Sequence, residues 1–150
     1  MSKPEIFNTW SKNDIDLFLS RHRVGSMGTI DQDGFPHVLP MWYTYIEGFI
    51  YISFRIPKKK YANLRKNPKM SFTVDAGEDF SSYHGVMIQG NAEFVDDPEF
   101  LERYYLAWTY RHFGSDADPY CKQITGAPRC VIRLVPEHIV TWDHRLMAAP

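Results

Sequence analysis

Between Val24 and Phe54 the chain reads as three short β-prone runs cut by Asp31-Gln-Asp-Gly34 and by Glu47-Gly48. Asp33-Gly34 and Glu47-Gly48 offer the positive-φ positions that tight hairpins need. The runs Val24–Ile30, Phe35–Tyr45 and Phe49–Phe54 are therefore expected to form an antiparallel meander. Further strands are expected at Met70–Val74 and at Val86–Val95, where Gly90 marks a bulge or close backbone approach. A last strand is expected at Cys130–Val135 with His138–Trp142, kinked or bulged at Pro136. Strands and helices do not alternate regularly, which excludes a doubly wound parallel sheet, and no Gly-rich phosphate-cradling motif is present. The expected class is mainly β, an antiparallel barrel with helices attached.

The helices are few. Ser11 with Asp14 makes a capping-box signal ahead of Ile15, Phe18 and Leu19, so a short helix opens the chain and runs to Arg21. Lys58 to Lys66 follows Pro57 and stops at Asn67-Pro68. Asp97-Pro98 starts an aromatic amphipathic helix over Glu99–Phe113, ended by Gly114, and Pro119 to Ile124 forms a short helical turn.

At 150 residues, 44% of them hydrophobic, the chain suffices for one domain spanning 1–150 and is not expected to be disordered. Seventeen Lys and Arg against eighteen Asp and Glu exclude the basicity of a nucleic-acid coat, so any anion site is local. No apolar run approaches the length needed to cross a bilayer and Met1-Ser-Lys-Pro-Glu carries no apolar signal, so a cytoplasmic protein is expected. Cys121 and Cys130 are too few for a disulfide framework, and the six histidines lack metal-ligand spacing.

Charge is segregated. Arg55 to Lys69 holds seven basic residues and no acid, whereas Asp75 to Glu102 holds eight acids and no Lys or Arg. A lysine-rich segment can be a solvated helix face. Here it lies where a strand ends and a helix begins, so ammonium groups and backbone N–H groups can converge on one phosphate, with Ser53 adding a hydroxyl. A barrel gripping single-stranded nucleic acid through Arg55–Lys69 and Tyr61 is a competing reading, opposed by the adjoining acidic stretch.

Four segments carry a resemblance: Asp33-Gly34-Phe-Pro36-His-Val-Leu-Pro40-Met-Trp42, Ile50-Tyr-Ile-Ser53, Lys60-Tyr-Ala-Asn63-Leu-Arg-Lys-Asn67-Pro68 and Val86-Met-Ile-Gln-Gly90-Asn-Ala-Glu93. In order and spacing, from about Phe18 to Trp142, they resemble the pyridoxamine 5′-phosphate oxidase-like family of flavin-binding split barrels. The resemblance implies a six-stranded Greek-key split β-barrel that dimerises, with FMN in each of two clefts between subunits. It implies that Leu39, Pro40, Met41 and Trp42 follow the edge of the flavin ring, and that Ser53, Arg55, Lys59 and Lys60 face the phosphate. Asn63 would cap or position the short helix, Gln89 would approach from the same cleft, and Trp142 would reach the partner's flavin or act as a core or interface anchor.

The resemblance thus implies an FMN-dependent oxidoreductase of unassigned substrate, in which the cofactor carries the redox chemistry. A deazaflavin (coenzyme F-420) reductase, whose ligand has an acidic tail, or a non-catalytic flavin or haem carrier on the same barrel are the alternatives. Tyr43, His84 and His37 are conceivable proton donors, and no catalytic residue is assigned. His144 and Arg145 only superficially resemble the arginine and histidine segment that binds substrate phosphate in pyridoxamine phosphate oxidases, so vitamin B6 oxidation is not expected. A flat ring with a dianionic phosphate asks for an apolar slot beside clustered donors, which one strand–helix corner supplies.

Overall fold

The fold begins at a cap: Ser11 Oγ accepts the Asp14 N–H at 3.1 Å and Asp14 Oδ2 accepts the Ser11 N–H at 2.8 Å, starting helix α1 (Lys12–Arg21). In this computed structural model, which describes residues 5–147, the chain continues through β1 (Val24–Ile30), β2 (Pro36–Trp42), β3 (Thr44–Ile46) and β4 (Phe49–Arg55). Then come α2 (Lys59–Lys66), β5 (Lys69–Ala76), β6 (His84–Phe94), α3 (Pro98–Phe113), α4 (Pro119–Thr125) and β7 (Arg129–Asp143). Among the described residues no helix is long and apolar enough to cross a membrane.

All pairings are antiparallel, in the order β2-β1-β5-β6-β7-β4-β3. Seven strands form where six are expected. The stretch expected as one strand over Phe35–Tyr45 is interrupted at Tyr43, and its halves pair with different neighbours. β2 and β3 thus stand at opposite ends of the order although one residue separates them. The sheet has to curl until its two ends meet at Tyr43.

Alternate residues face inward and fill the curl: Met27, Phe72, Val74, Val86, Ile52, Ile132 and Leu134 are all buried. The expected irregularity at Gly90 is real. The register shifts between Gln89 and Gly90, and a Cβ at Gly90 would collide with the Val135 carbonyl. Opposite it Pro136 lies within a β7 that stays one strand.

α3 supplies a second core. Asp97 caps it, Gly114 ends it with φ 73°, and Tyr104 and Trp108 pack on Tyr51 and Val131, the outward residues of β4 and β7. At its last turn Arg111 donates to the carbonyls of Leu19, Ser20 and His22, which caps the C-terminus of α1. Phe72 is fully buried, so Phe72→Ala should cost about 3–5 kcal/mol of stability, read by denaturant titration.

Candidate functional site

The interruption at Tyr43 creates a cleft. β3 pairs with residues 49–51 of β4, whereas β2 pairs only with β1. Beyond Tyr51 the β4 edge has no β3 partner, and β2 approaches β4 without a ladder, so each presents a strand edge to the gap. Leu39 shows the effect: it sits opposite the buried Met27, in inward register, yet is 41% exposed. Met41, opposite Gly25, shares that face, while Pro40 and Trp42 point outward. The cleft therefore combines apolar side chains with free backbone donors and acceptors, which suits a flat heterocycle with a polar edge.

At the outer end of the cleft the positive charge is more concentrated than the sequence suggests. Arg55 pairs in register with Arg129, the first residue of β7. Arg129 Nε donates to Ser53 Oγ at 2.9 Å and its Nη2 donates to the Ser53 carbonyl at 2.9 Å, with Tyr105 Oη 3.3 Å from the same hydroxyl. Ser53 is thereby fixed, and its remaining valence is that of a hydroxyl already holding one donor. Lys60 lies over the Phe54 ring at 5.9 Å. Burial lowers the proton affinity of its ammonium, and repulsion from Lys58 and Arg129 lowers it further. Among the described residues no carboxylate pairs with Arg55, Lys58, Lys60 or Arg129.

The two lysines expected to act together diverge. Lys59 turns to the β1–β2 turn and pairs with Asp31 at 3.4 Å, while Lys60 joins the uncompensated group. The start of α2 adds to that group, because Lys58 at its N-cap makes no side-chain cap and no acid lies in the first turn. Asn63 faces the barrel interior, where its Nδ2 donates to Thr29 Oγ1 at 3.1 Å, and so holds α2 in place rather than reaching the corner. Arg129 escapes the sequence reading because only the β4–β7 register brings it to Arg55. Its one local signal is a basic residue, after Pro128, at the start of the last strand.

Gln89 and Trp142 lie elsewhere. Gln89 is exposed on the outward face, in a row with Val38, Gly28, Ser71 and His138 across five strands. Trp142 lies over Gly85 near the far end of β7. Neither reaches the β2–β4 cleft of its own chain. Tyr43 is withdrawn as a proton donor, since its buried hydroxyl donates to the Leu19 carbonyl at 2.6 Å and burial raises its pKa. His84 is at the opposite end of the barrel, and His37 faces inward opposite Thr29.

At the Tyr43 end of β2, Trp42 packs on the outward face against α3. It stacks on His112 with centroids 4.6 Å apart and planes at 2°, with the edges of Trp108 and Phe113 beside it at 6.2 and 5.4 Å. Burial, then repulsion from Arg111 and Arg23, hold the His112 imidazole down to about 4 from its ordinary 6.5. The unfolded chain therefore binds more protons here than the folded one between these values. Stability should be full above about 6.5 and fall as pH drops toward 4. The denaturation midpoint should follow that course, and His112→Phe, which keeps the stack, should flatten it.

A family profile described as pyridoxamine 5′-phosphate oxidase matches residues 11–143. Among solved structures, a conserved hypothetical protein of Mycobacterium tuberculosis is similar over the whole chain and 94% of its own, with 32% identity and a TM-score of 0.86. A FAD-binding protein of Mesorhizobium loti matches 91% of the chain and 95% of its own, at 24% identity and TM-score 0.69. A heme-binding protein of Mycobacterium smegmatis matches 91% of the chain and 60% of its own, at 18% identity and TM-score 0.67. No curated protein matches the chain.

Proposed function

Since the chain belongs to the pyridoxamine 5′-phosphate oxidase family, we propose that it is an oxidoreductase that binds FMN in the β2–β4 cleft. The observation that carries this reading is the group Arg55, Lys58, Lys60 and Arg129, drawn together with no carboxylate among them and with Lys60 and Arg129 partly buried. Such a group costs free energy until an anion joins it. The phosphate is held there by Lys60, Arg55 and the first N–H groups of α2. Ser53, clamped by Arg129, adds one fixed hydroxyl. Leu39 and Met41 provide the apolar wall, Trp42 stands at its Tyr43 end, and the free edge of β2 meets the polar rim of the ring.

When bound, the flavin supplies hydride or electron transfer. The chain's own part is to hold the phosphate, keep the ring against β2 and exclude water with Trp42 and its aromatic neighbours. The proposed assembly is a homodimer with one flavin in each of two clefts between subunits. Docking the outward faces of two β6–β7 sheets brings the partner subunit's Gln89 and the partner subunit's Trp142 toward the cofactor.

The charge count favours a second reading. A single phosphate is a dianion, whereas four cations converge on the corner, so a deazaflavin with an anionic tail, coenzyme F-420, fits the surplus. Mass spectrometry of the ligand released from the natively purified protein separates the two. Turnover with a reduced nicotinamide or reduced deazaflavin separates an enzyme from a carrier.

Titration of the stripped protein tests the corner itself. Lys60→Ala and Arg129→Met should each weaken cofactor binding by about tenfold or more, equal to about 1.4 kcal/mol. Lys59→Ala, whose ammonium Asp31 already holds, should change it little. Wild-type protein that takes up neither cofactor would refute the assignment.

A further inference from the structure

The far end of the barrel holds another cavity, of about 430 Å³. β7 spans the distance between the two sites. Arg129 belongs to the basic corner and Asp143 to this cavity, fourteen positions apart and roughly 45 Å along the strand. One stripe of α1 lines it: Asp14, Leu17, Phe18 and Arg21, at helical spacing. Trp10, His22 and His84 complete the wall.

Most polar groups here are already taken. Asp143 accepts from Trp10 Nε1 at 2.9 Å and from both arms of Arg145 at 2.8 Å, and this pairing with Arg145 holds its carboxyl well below the usual range. Asp14 is committed to the Ser11 N–H. The two histidines are pinned in the same way: His22 Nδ1 lies 2.8 Å from the Phe18 carbonyl and His84 Nδ1 lies 2.7 Å from the Ser82 carbonyl. A carbonyl only accepts, so the ring proton is assigned to Nδ1 and each Nε2 is left open. Both rings flank Phe18, at 4.2 and 5.5 Å. Arg21 has no ion pair or hydrogen bond among the described residues.

The open valences are thus one guanidinium and two fixed imidazole nitrogens beside an aromatic wall. Among the described residues no three His, Cys, Asp or Glu side chains come together to hold a metal. We propose that this cavity is a second ligand site, away from the cleft of its own chain, that takes a small aromatic carboxylate. The ring lies against Trp10, Leu17 and Phe18, and the single negative charge matches the single uncommitted cation, Arg21. The carboxylate pairs with the Arg21 guanidinium, beside the Nε2 edges of His22 and His84. The other charged groups of the cavity are Asp14 of α1, Asp143 of β7 and Arg145 beyond it.

Calorimetric titration of the full chain with benzoate at neutral pH tests this. Benzoate should bind saturably, and benzyl alcohol should bind at least about tenfold more weakly. Arg21→Gln, at an exposed helix position, should weaken benzoate by about tenfold. Absence of saturable binding at millimolar benzoate would overturn the proposal, as would equal affinity for the alcohol or indifference to Arg21→Gln. Loss of benzoate binding in Lys60→Ala would place the ligand at the basic corner and overturn it too. None of these outcomes depends on whether FMN binds.

Discussion

Tyr43 is the residue on which the cleft turns, and three separate parts of the chain hold it. Its hydroxyl donates to Leu19 at the end of α1, its N–H donates to Arg23 at 3.0 Å, and its ring packs against Phe72 beneath the Arg111 guanidinium. With the side chain fully buried, the backbone on either side is fixed in two different ladders. A strand that continued straight through this point would pair with β4 along its whole length and seal the gap. The break instead lets the barrel close at one end and stay open at the other. α1 and α3 act as its clamps, since Arg111 ties the last turn of one to the last turn of the other.

Electrostatics gives the opening its direction. A protein of formal charge −1 has no general attraction for anions. It does have a place where cations are held against one another, because Arg129 is committed to Ser53 and cannot swing out to solvent. The free energy that this crowding withholds from the empty fold is returned when an anion arrives. Lys59 shows the contrast: one residue before Lys60, it meets Asp31, and its charge is neutralised at no such cost. The same rule operates at the far end of β7, where Asp143 absorbs Arg145 and leaves Arg21 over. A long strand thus separates two sites whose charge is set by which cations find a carboxylate.

The periodicity of the sequence made most of the fold legible. The capping box at Ser11, the turns at Gly34 and Gly48, the bulge at Gly90 and the stop at Gly114 are local signals, each acting through a few neighbouring residues. The number of strands was not legible. The stretch from Phe35 to Tyr45 is uniformly β-prone, and its interruption is imposed by α1 and α3, which are distant in sequence. The lysine-rich bend was visible as composition, but the separation of Lys59 from Lys60 depends on Asp31, and the role of Asn63 depends on Thr29.

Sequence by itself determined the mainly β class, the positions of the caps and turns, and the concentration of positive charge after β4, because these are set by residue type and spacing along the chain. Tertiary structure alone decided which of those charges remain unpaired, that Arg129 joins them, and that β2 parts from β4 at Tyr43. Those outcomes rest on the register of strands far apart in sequence. Register is fixed only when one curled sheet has to bury all its inward faces at once.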